Sequence, residues 1–115
     1  MSEAQTLRKR RKQILVELEQ LEEIRRGSMV SQYMITERKD GSKSKRGPYR
    51  LYSYKEKGKT ISKRISNPQE AEIYERQIDG FRRFQQLTSE LVSIGERLSA
   101  LAVQDEELKK TLGSN

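Results

Sequence analysis

The chain has 115 residues, of which 36% are charged and 32% are hydrophobic, and its formal net charge is +7. This length corresponds to one domain, and the low apolar content favours long helices with narrow apolar seams over a large compact core. The sequence contains no Cys and no His, which excludes disulfides, thiolate nucleophiles, Cys/His metal sites and imidazole catalysis.

The positive charge is concentrated in two segments. Residues 38–64 contain eleven Lys or Arg against two acids, and residues 8–12 are five consecutive cations. The rest of the chain carries an excess of acids. Solubility alone predicts interspersed signs, so this segregation favours a surface for an electrostatic partner.

The first predicted element is an N-terminal basic helix within residues 1–27. Gly27 suits the left-handed position that follows a helix, and the two arginines before it oppose the negative end of the helix dipole. We therefore expect a helix over about residues 5–26. The run at residues 8–12 is interpreted as a patch that contacts a phosphate backbone, with a solvated helix start as the alternative. Apolar residues recur with the spacing of one helical face: Leu7, Ile14, Leu18 and Leu21.

Residues 28–66 are predicted to form a basic three-stranded β module. They are rich in β-branched and aromatic residues, and the predicted strands cover residues 28–38, 48–56 and 59–66. The connection "KDGSKSKRG" between the first two strands combines glycine, serine and cations without an apolar anchor. We expect it to be a flexible basic loop.

A two-residue turn at Lys57-Gly58 predicts the register of the last two strands. The predicted pairs are Tyr54 with Ile61, Tyr52 with Lys63 and Arg50 with Ile65. One face is then expected to lie against the helices: Tyr52, Tyr54, Ile61 and Ile65. The tyrosines are assigned mainly to this inner face, and base stacking is the alternative. The opposite face is polar and positive: Leu51, Ser53, Lys55, Thr60, Ser62 and Arg64.

Residues 67–112 are predicted to form one long coiled-coil helix, followed by a tail at residues 113–115. Asn67 can cap its N-terminus, and Pro68 suits the first helical position. The seam residues recur in steps of three and four, with one interruption: Phe84, Leu87, Leu91, Ile94, Leu98, Leu101, Leu108 and Leu112.

The first helix, at about 22 residues, is expected to pair with only the first half of this long helix. The later part of the seam would then have no intrachain partner, which predicts a homodimer. The expected oligomerisation residues are Leu91, Ile94, Leu98, Leu101, Leu108 and Leu112. The predicted fold class is therefore α+β: a helix, a three-stranded antiparallel sheet and a long C-terminal coiled-coil helix.

The basic β module is predicted to bind nucleic acid, because clustered Lys and Arg release counterions from phosphates and a two-stranded ribbon can enter the major groove. DNA is favoured over RNA, and a solvated basic face or an acidic protein partner are the alternatives. The candidate nucleic-acid-binding residues are Arg38, Lys39, Lys43, Lys45, Arg46, Arg50, Lys55, Lys57, Lys59, Lys63 and Arg64.

Catalysis is not expected. The sequence has no glycine-rich phosphate loop, nucleophile elbow or zinc spacing, and its acids fall mainly at solvent-facing helical positions. We expect no metal, no cofactor and no small-molecule substrate. The basic N-terminus lacks the continuous apolar stretch of a signal peptide, and no segment approaches a membrane span. A cytoplasmic protein without membrane contact is predicted.

Three segments together resemble an uncharacterised bacterial family of small helical proteins that are often encoded near transposases and other mobile elements. They are "IRRGSMVSQYM", "GPYRLYSYKEKGKTISKRIS" and "YERQIDGFRRFQQLTSEL", within about residues 24–95. Many members carry clustered cysteines before Gly-Pro-Tyr. This chain has "KDGSKSKR" there, so no metal-binding role is carried over.

The segment "YRLYSYKEKGKTISKRISNPQEAEIY" is also similar to the arm-type DNA-binding domains of phage and transposon integrases. In those domains the strands lie in the DNA major groove, and Glu70-Ala71-Glu72 matches the start of the helix that follows them. The similarity implies DNA contacts for Arg50, Lys55, Lys63 and Arg64.

Together these observations predict a non-enzymatic DNA-binding protein, dimeric through its coiled coil, that acts as an accessory factor or regulator of a mobile element or phage. Two alternatives are kept. One is a coiled-coil adaptor or assembly subunit whose basic tip binds an acidic protein. The other is an RNA-binding protein.

Overall fold

The computed structural model describes residues 1–113, and the last two residues of the predicted tail lie outside them. In chain order the elements are α1 (Glu3–Gln20), β1 (Ser28–Glu37), β2 (Lys43–Glu56), β3 (Lys59–Ile65) and α2 (Pro68–Gly113). The strands form one antiparallel sheet in the order β1-β2-β3. The predicted α+β class is confirmed. Within the described residues, neither helix has an apolar stretch that is long enough to cross a membrane.

The chain divides into two compact units. The first contains α1 and the part of α2 from Arg83 onward, and the second, residues 23–82, contains the sheet and the first turns of α2.

In the first unit, the serine before α1 caps the helix. The Ser2 side chain accepts a hydrogen bond from the Gln5 backbone N–H, while the Gln5 side chain accepts one from the Ser2 N–H. This reciprocal capping box satisfies two donors that a helix start leaves unpaired. The helix ends at Gln20 because Leu21 adopts an extended backbone conformation, with φ −87° and ψ 90°.

The predicted continuation of this helix to residue 26 is therefore wrong, and Gly27 is not its C′ residue. Tertiary contacts in the second unit hold the end of that segment instead. The Arg25 N–H donates to the Gln77 carbonyl at 2.9 Å, and the Arg25 guanidinium lies 4.0 Å from the ring centroid of Tyr74. Such contacts outweigh helix propensity, which is worth only tenths of a kcal/mol per residue for ordinary residues.

The first unit is built around an apolar seam between α1 and α2. Ile14 is completely buried and Leu87 is 1% exposed, and both form a cluster with Ile94. Partly buried side chains from both helices pack around this cluster: Leu7, Leu18, Leu21, Leu91 and Leu98. α1 therefore covers the middle of the predicted coiled-coil seam.

Three ion pairs flank the seam at regular intervals. The pairs are Glu3 with Arg97, Arg10 with Glu90 and Glu17 with Arg83. Each step along α1 and back along α2 is one heptad, which is the signature of an antiparallel coiled-coil pair. The Arg10 Nε to Glu90 Oε2 distance is 2.8 Å, and the Arg83 Nη2 to Glu17 Oε1 distance is also 2.8 Å. These pairs set the register of the two helices.

The expected unpartnered seam is consequently shorter than predicted. Leu91, Ile94 and Leu98 pack in one cluster with α1 residues of the same chain, so the expectation that they have no intrachain partner is wrong. The ion pairs align Glu17 with Arg83 and Glu3 with Arg97, so α1 lies along this part of α2 and not along its first turns. The exposed apolar side chains toward the end of α2 include Leu108, at 53%, and Leu112, at 79%.

The acid ends of these ion pairs predict how the first unit responds to pH. Hydrogen bonds from Arg83 hold the pKa of Glu17 below its ordinary value of 4.5, and those from Arg97 do the same for Glu3. A lowered folded-state pKa contributes stability that is present above the unfolded-state pKa and is lost as pH falls through the folded-state value. We expect the free energy of unfolding to decline below about pH 4.5.

Glu17→Gln tests this assignment. The variant should lose part of that acid-induced decline, because its amide has no proton to gain. Glu19→Gln, an exposed acid on the same helix, is the control and should leave the decline unchanged. Thermal unfolding followed by circular dichroism from about pH 7 to pH 3 gives the comparison. Identical pH profiles for the two variants would contradict the role of the Glu17–Arg83 pair.

The second unit has its own core between the sheet and the first turns of α2. Tyr52, Ile65, Ala71 and Ile78 are buried together, and Met29, Tyr54 and Tyr74 pack against them. The predicted β2–β3 register is confirmed, with the same three residue pairs. Ile61 shares this face as the cross-strand partner of Tyr54, but it is 38% exposed and does not belong to the buried cluster.

Tyr52 organises this core and the chain segment before β1. Its hydroxyl donates a hydrogen bond to the Arg26 carbonyl, and its ring stacks with Tyr54 and meets Tyr74 edge-on. Gly27 lies against the same ring with φ +123°, a conformation that suits glycine. The assignment of Tyr52 and Tyr54 to the inner face is confirmed.

Asn67 caps α2 as predicted. Its side-chain Oδ1 accepts hydrogen bonds from the backbone N–H groups of Gln69, at 2.9 Å, and Glu70, at 3.2 Å. These are two of the donors that a helix start leaves without an intrahelical partner. The cap therefore defines where β3 ends and α2 begins.

Candidate nucleic-acid interface

The connection between β1 and β2 is shorter and more ordered than predicted. β2 begins at Lys43, so most of the expected flexible loop is strand, and that prediction is wrong. A tight turn joins the strands: the Arg38 N–H donates to the Ser42 carbonyl at 2.7 Å. Asp40 accepts hydrogen bonds from the Ser42 hydroxyl and N–H, which hold the pKa of its carboxyl below the ordinary value.

The part of the sheet that bears this turn has only two strands. β3 pairs with β2 from Arg50 to Glu56, whereas β1 pairs with β2 as far as Lys43. The register of β1 and β2 shifts between Gln32 and Met34, where Gly47 and Pro48 lie on the opposing strand. We call residues 32–46, beyond this bulge, the basic ribbon.

The basic ribbon carries cations on both of its faces. Cross-strand partners share a face, so Ile35 lies beside Lys45 and Glu37 beside Lys43 on one side, with Met34 beside Arg46 on the other. The Lys45 ammonium lies 4.0 Å from the ring centroid of Tyr33, a cation–π contact. Five of the predicted site residues belong to the ribbon: Arg38, Lys39, Lys43, Lys45 and Arg46.

These five cations are exposed and available to an external anion. Across residues 1–113, the ion pairs involve Arg10, Arg50, Arg82, Arg83 and Arg97, and no ion pair links a ribbon cation to a carboxylate. The molecule thus pairs several of its other arginines internally, while the ribbon has five cations against two acids, Glu37 and Asp40, and keeps an excess of positive charge. An unpaired cation gains more from a phosphate than one that must first break an ion pair.

A second group of predicted residues lies at the β2–β3 hairpin. Lys55, Lys57 and Lys59 surround its turn and are exposed, with Lys57 in the left-handed region at φ 50°. Arg64 lies on the outer face of the sheet, and its guanidinium sits 3.7 Å from the ring centroid of Tyr49. Stacking on Tyr49 restricts the Arg64 side chain and leaves it exposed on that face.

Arg50 and Lys63 do not belong to the outer face. Arg50 forms an ion pair with Glu75 of α2 and lines a cavity of about 600 Å³ beside the start of that helix. Lys63 is the cross-strand partner of the buried Tyr52, so it shares the inner face although it is exposed at the sheet edge. Arg50, a candidate DNA contact in the sequence, thus has one guanidinium nitrogen paired with a carboxylate of the same chain.

Among the described residues, one member of the N-terminal basic run, residues 8–12, forms an ion pair within the chain, and the other four do not. Arg10 pairs with Glu90, while Arg8, Lys9, Arg11 and Lys12 remain exposed on α1. These cations lie in the first unit and the ribbon lies in the second.

Two features of the interface were not predicted from the sequence. The sequence did not predict that β2 begins at Lys43, because residues 43–47 lack the alternation of apolar and polar residues that is typical of a half-buried strand. The contacts of Tyr33 with Lys45 and of Tyr49 with Arg64 were also not predicted, although the residues of each pair lie close together in the sequence. Among residues 1–113, no three acidic residues are grouped so that they could hold a metal ion.

The fold and its surface define a small protein with an antiparallel helix pair and a β-sheet that extends into a basic ribbon. A family model described as a domain of unknown function, DUF6788, matches residues 4–75. The chain belongs to this family. The matched region contains α1, all three strands and the first turns of α2. No curated protein and no solved structure matches the chain.

Proposed function

We propose that this protein is a non-enzymatic DNA-binding protein that contacts the duplex mainly through the basic ribbon. The observation that carries the proposal is the ribbon itself, a two-stranded projection with five exposed cations and no internal ion pair to a carboxylate within residues 1–113. A ribbon of this width fits the major groove of B-DNA, where its cations reach phosphates and its alternate side chains reach base edges.

The ribbon also has groups suited to contacts other than phosphate. Thr36 and Ser44 are cross-strand partners whose hydroxyls can donate to phosphates or base edges. Met34 and Ile35 are exposed at 57% and 69%, and apolar side chains can contact thymine methyl groups. These features favour a groove over a flat acidic protein surface, which would need only charge.

A second element of the proposal is a dimer formed by the end of α2. Leu101 is half-buried, and Leu108 and Leu112 are exposed at the heptad-related positions that follow the seam covered by α1. Pairing of this segment between two copies would bring two basic ribbons into one complex. The resemblance of the sequence to proteins encoded near transposases supports a role as an accessory factor or regulator of a mobile element or phage.

The test is a salt-titrated binding measurement on short DNA duplexes, single strands and RNA. The variant replaces Lys43, Lys45 and Arg46 with glutamine, and a matched variant makes the same change at Arg76, Lys109 and Lys110, exposed cations of α2. Each lost phosphate contact lowers the slope of log affinity against log salt by about one. We expect the ribbon variant to lose at least about tenfold in duplex affinity and the matched variant to change little.

Each outcome has a defined meaning. Equal losses in both variants would show that net charge, rather than the ribbon, carries the binding. Preference for RNA would favour the RNA-binding alternative. No binding to any nucleic acid at low salt would refute the proposed function and favour the adaptor with an acidic protein partner.

A further inference from the structure

The two edges of the sheet differ in chemistry. β3 carries Lys59, Lys63 and Arg64, and charges of this kind keep an edge strand from pairing with another chain. β1 (Ser28–Glu37) has no Lys, Arg or Pro, and its one charged residue is the final Glu37. In a chain with 36% charged residues, this strand is unusually neutral. β3 is a guarded edge and β1 is an unguarded one.

The unguarded edge is long, and much of its apolar surface is exposed. Within residues 1–113, β2 is the only strand that pairs with β1, so the other side of β1 presents a row of free backbone donors and acceptors. Val30, Tyr33, Met34 and Ile35 are all exposed on this strand. Exposed apolar groups beside an unpaired strand edge form a template for another strand.

We propose that β1 pairs antiparallel with β1 of a second copy of this chain, about a two-fold axis at Gln32. An axis perpendicular to the sheet keeps the equivalent faces of both copies on the same side, so residues at equal distances from Gln32 become neighbours. The resulting cross-strand pairs match in character: Val30 with Met34, Met29 with Ile35, Ser31 with Tyr33 and Ser28 with Thr36.

Charge favours a second copy at this edge and disfavours it at the other. Each chain carries a net charge of +7, so two copies repel unless they meet at a neutral surface. β1 offers such a surface, whereas pairing of two β3 strands would bring three cations of each copy together. The result is one continuous six-stranded antiparallel sheet with β3 at both outer edges.

This arrangement also separates the two basic ribbons, a consequence that rests on the proposed function. The two Glu37 residues lie five positions on either side of the axis, so the ribbon ends are about 33 Å apart at ~3.3 Å per residue. One turn of B-DNA spans about 34 Å, the spacing at which dimeric proteins contact successive grooves. In this arrangement the ribbon ends beyond Thr36, which carry Arg38, Lys39 and Lys43, stay two-stranded and lie on opposite sides of the axis.

The natural absence of cysteine makes the proposal directly testable. Gln32→Cys introduces one thiol at the two-fold axis, where cross-strand Cβ atoms lie about 5 Å apart, within reach of a disulfide. Ser62→Cys places a matched, exposed thiol on β3. On mild oxidation we expect a disulfide-linked dimer of the Gln32 variant on a non-reducing gel and a monomer of the Ser62 variant. Failure of the Gln32 variant to cross-link, or equal cross-linking of both, would overturn the proposal.

A second experiment separates this contact from pairing of the α2 ends. In the chain truncated after Leu101, which lacks the α2 ends, Val30→Lys combined with Met34→Lys should weaken dimerisation at least tenfold in sedimentation velocity, while circular dichroism reports that the variant remains folded. Truncation after Leu101 should leave the β1 dimer intact. A truncated dimer that survives the lysine pair, or loss of the dimer on truncation, would overturn the β1 contact. Because neither readout involves DNA, the result is independent of whether the proposed function holds.

Discussion

Replacing Gly27 with alanine is expected to cost at least about 3 kcal/mol of folding free energy, a large share of the stability of a small domain. A Cβ at this position would lie 2.6 Å from the Ser53 carbonyl oxygen and 2.7 Å from Cε2 of Tyr52. Neither neighbour can move easily, because Ser53 is in the middle strand and the Tyr52 ring is packed in the core. The φ of +123° adds backbone strain for any residue with a Cβ.

Gly41→Ala is the matched control for this prediction. Gly41 also has a positive φ, +85°, but a Cβ added there would have no heavy atom within 4 Å beyond its chain neighbours. It should therefore show only the cost of the backbone conformation, about 1 kcal/mol. Urea denaturation followed by far-UV circular dichroism measures both. Equal losses at the two glycines would mean that the contact with Tyr52 and Ser53 contributes nothing.

Leu87→Ala is expected to destabilise the protein by about 3 kcal/mol, within the range of ~2–5 for truncation of a fully buried leucine. Leu87 is 1% exposed and forms the centre of the α1–α2 seam with Ile14 and Ile94. Truncation removes apolar contacts and leaves a cavity that two ion-paired helices cannot easily close. The loss should lower the midpoint of urea denaturation and change little the slope of the free energy of unfolding against urea concentration.

Val92→Ala provides the comparison on the same helix. Val92 is 59% exposed, so its truncation should change the free energy of unfolding by less than about 0.5 kcal/mol. Comparison of these two variants also tests whether α1 packs on α2 of the same chain. If Leu87→Ala were no more destabilising than Val92→Ala, the intrachain helix pair would be contradicted. A loss that instead depended on protein concentration would place Leu87 in an interface between copies.

The β1–β2 hairpin has two proposed roles, DNA binding by the basic ribbon and dimerisation through the outer edge of β1. In the proposed function the cations of β2 and of the turn contact DNA, while the outer backbone of β1 remains available to another strand. Electrostatic contacts weaken with added salt, whereas strand pairing depends on backbone hydrogen bonds and apolar cover. Binding and dimerisation should therefore respond differently to ionic strength.

Several local features of this protein follow from its residue order because their physics is short-range. The Lys57-Gly58 turn specifies the β2–β3 register, since a two-residue loop leaves one set of partners. Asn67 and Pro68 define the start of α2 through capping and a preset φ. The segregation of charge is likewise a property of composition, visible without any fold.

Other features depend on contacts between residues that are distant in the chain, and they become visible only in the folded molecule. The local sequence pattern does not predict the end of α1 at Gln20. The segment after it is held by contacts of Arg25 with Gln77 and Tyr74, about fifty residues away. Arg50 and Arg64 cannot be distinguished by the sequence pattern. In the fold, Arg50 forms an ion pair with Glu75, whereas Arg64 stacks on Tyr49 on the outer face of the sheet. The two-stranded ribbon exists because β3 ends opposite Arg50, and such a limit to pairing is a property of the assembled sheet.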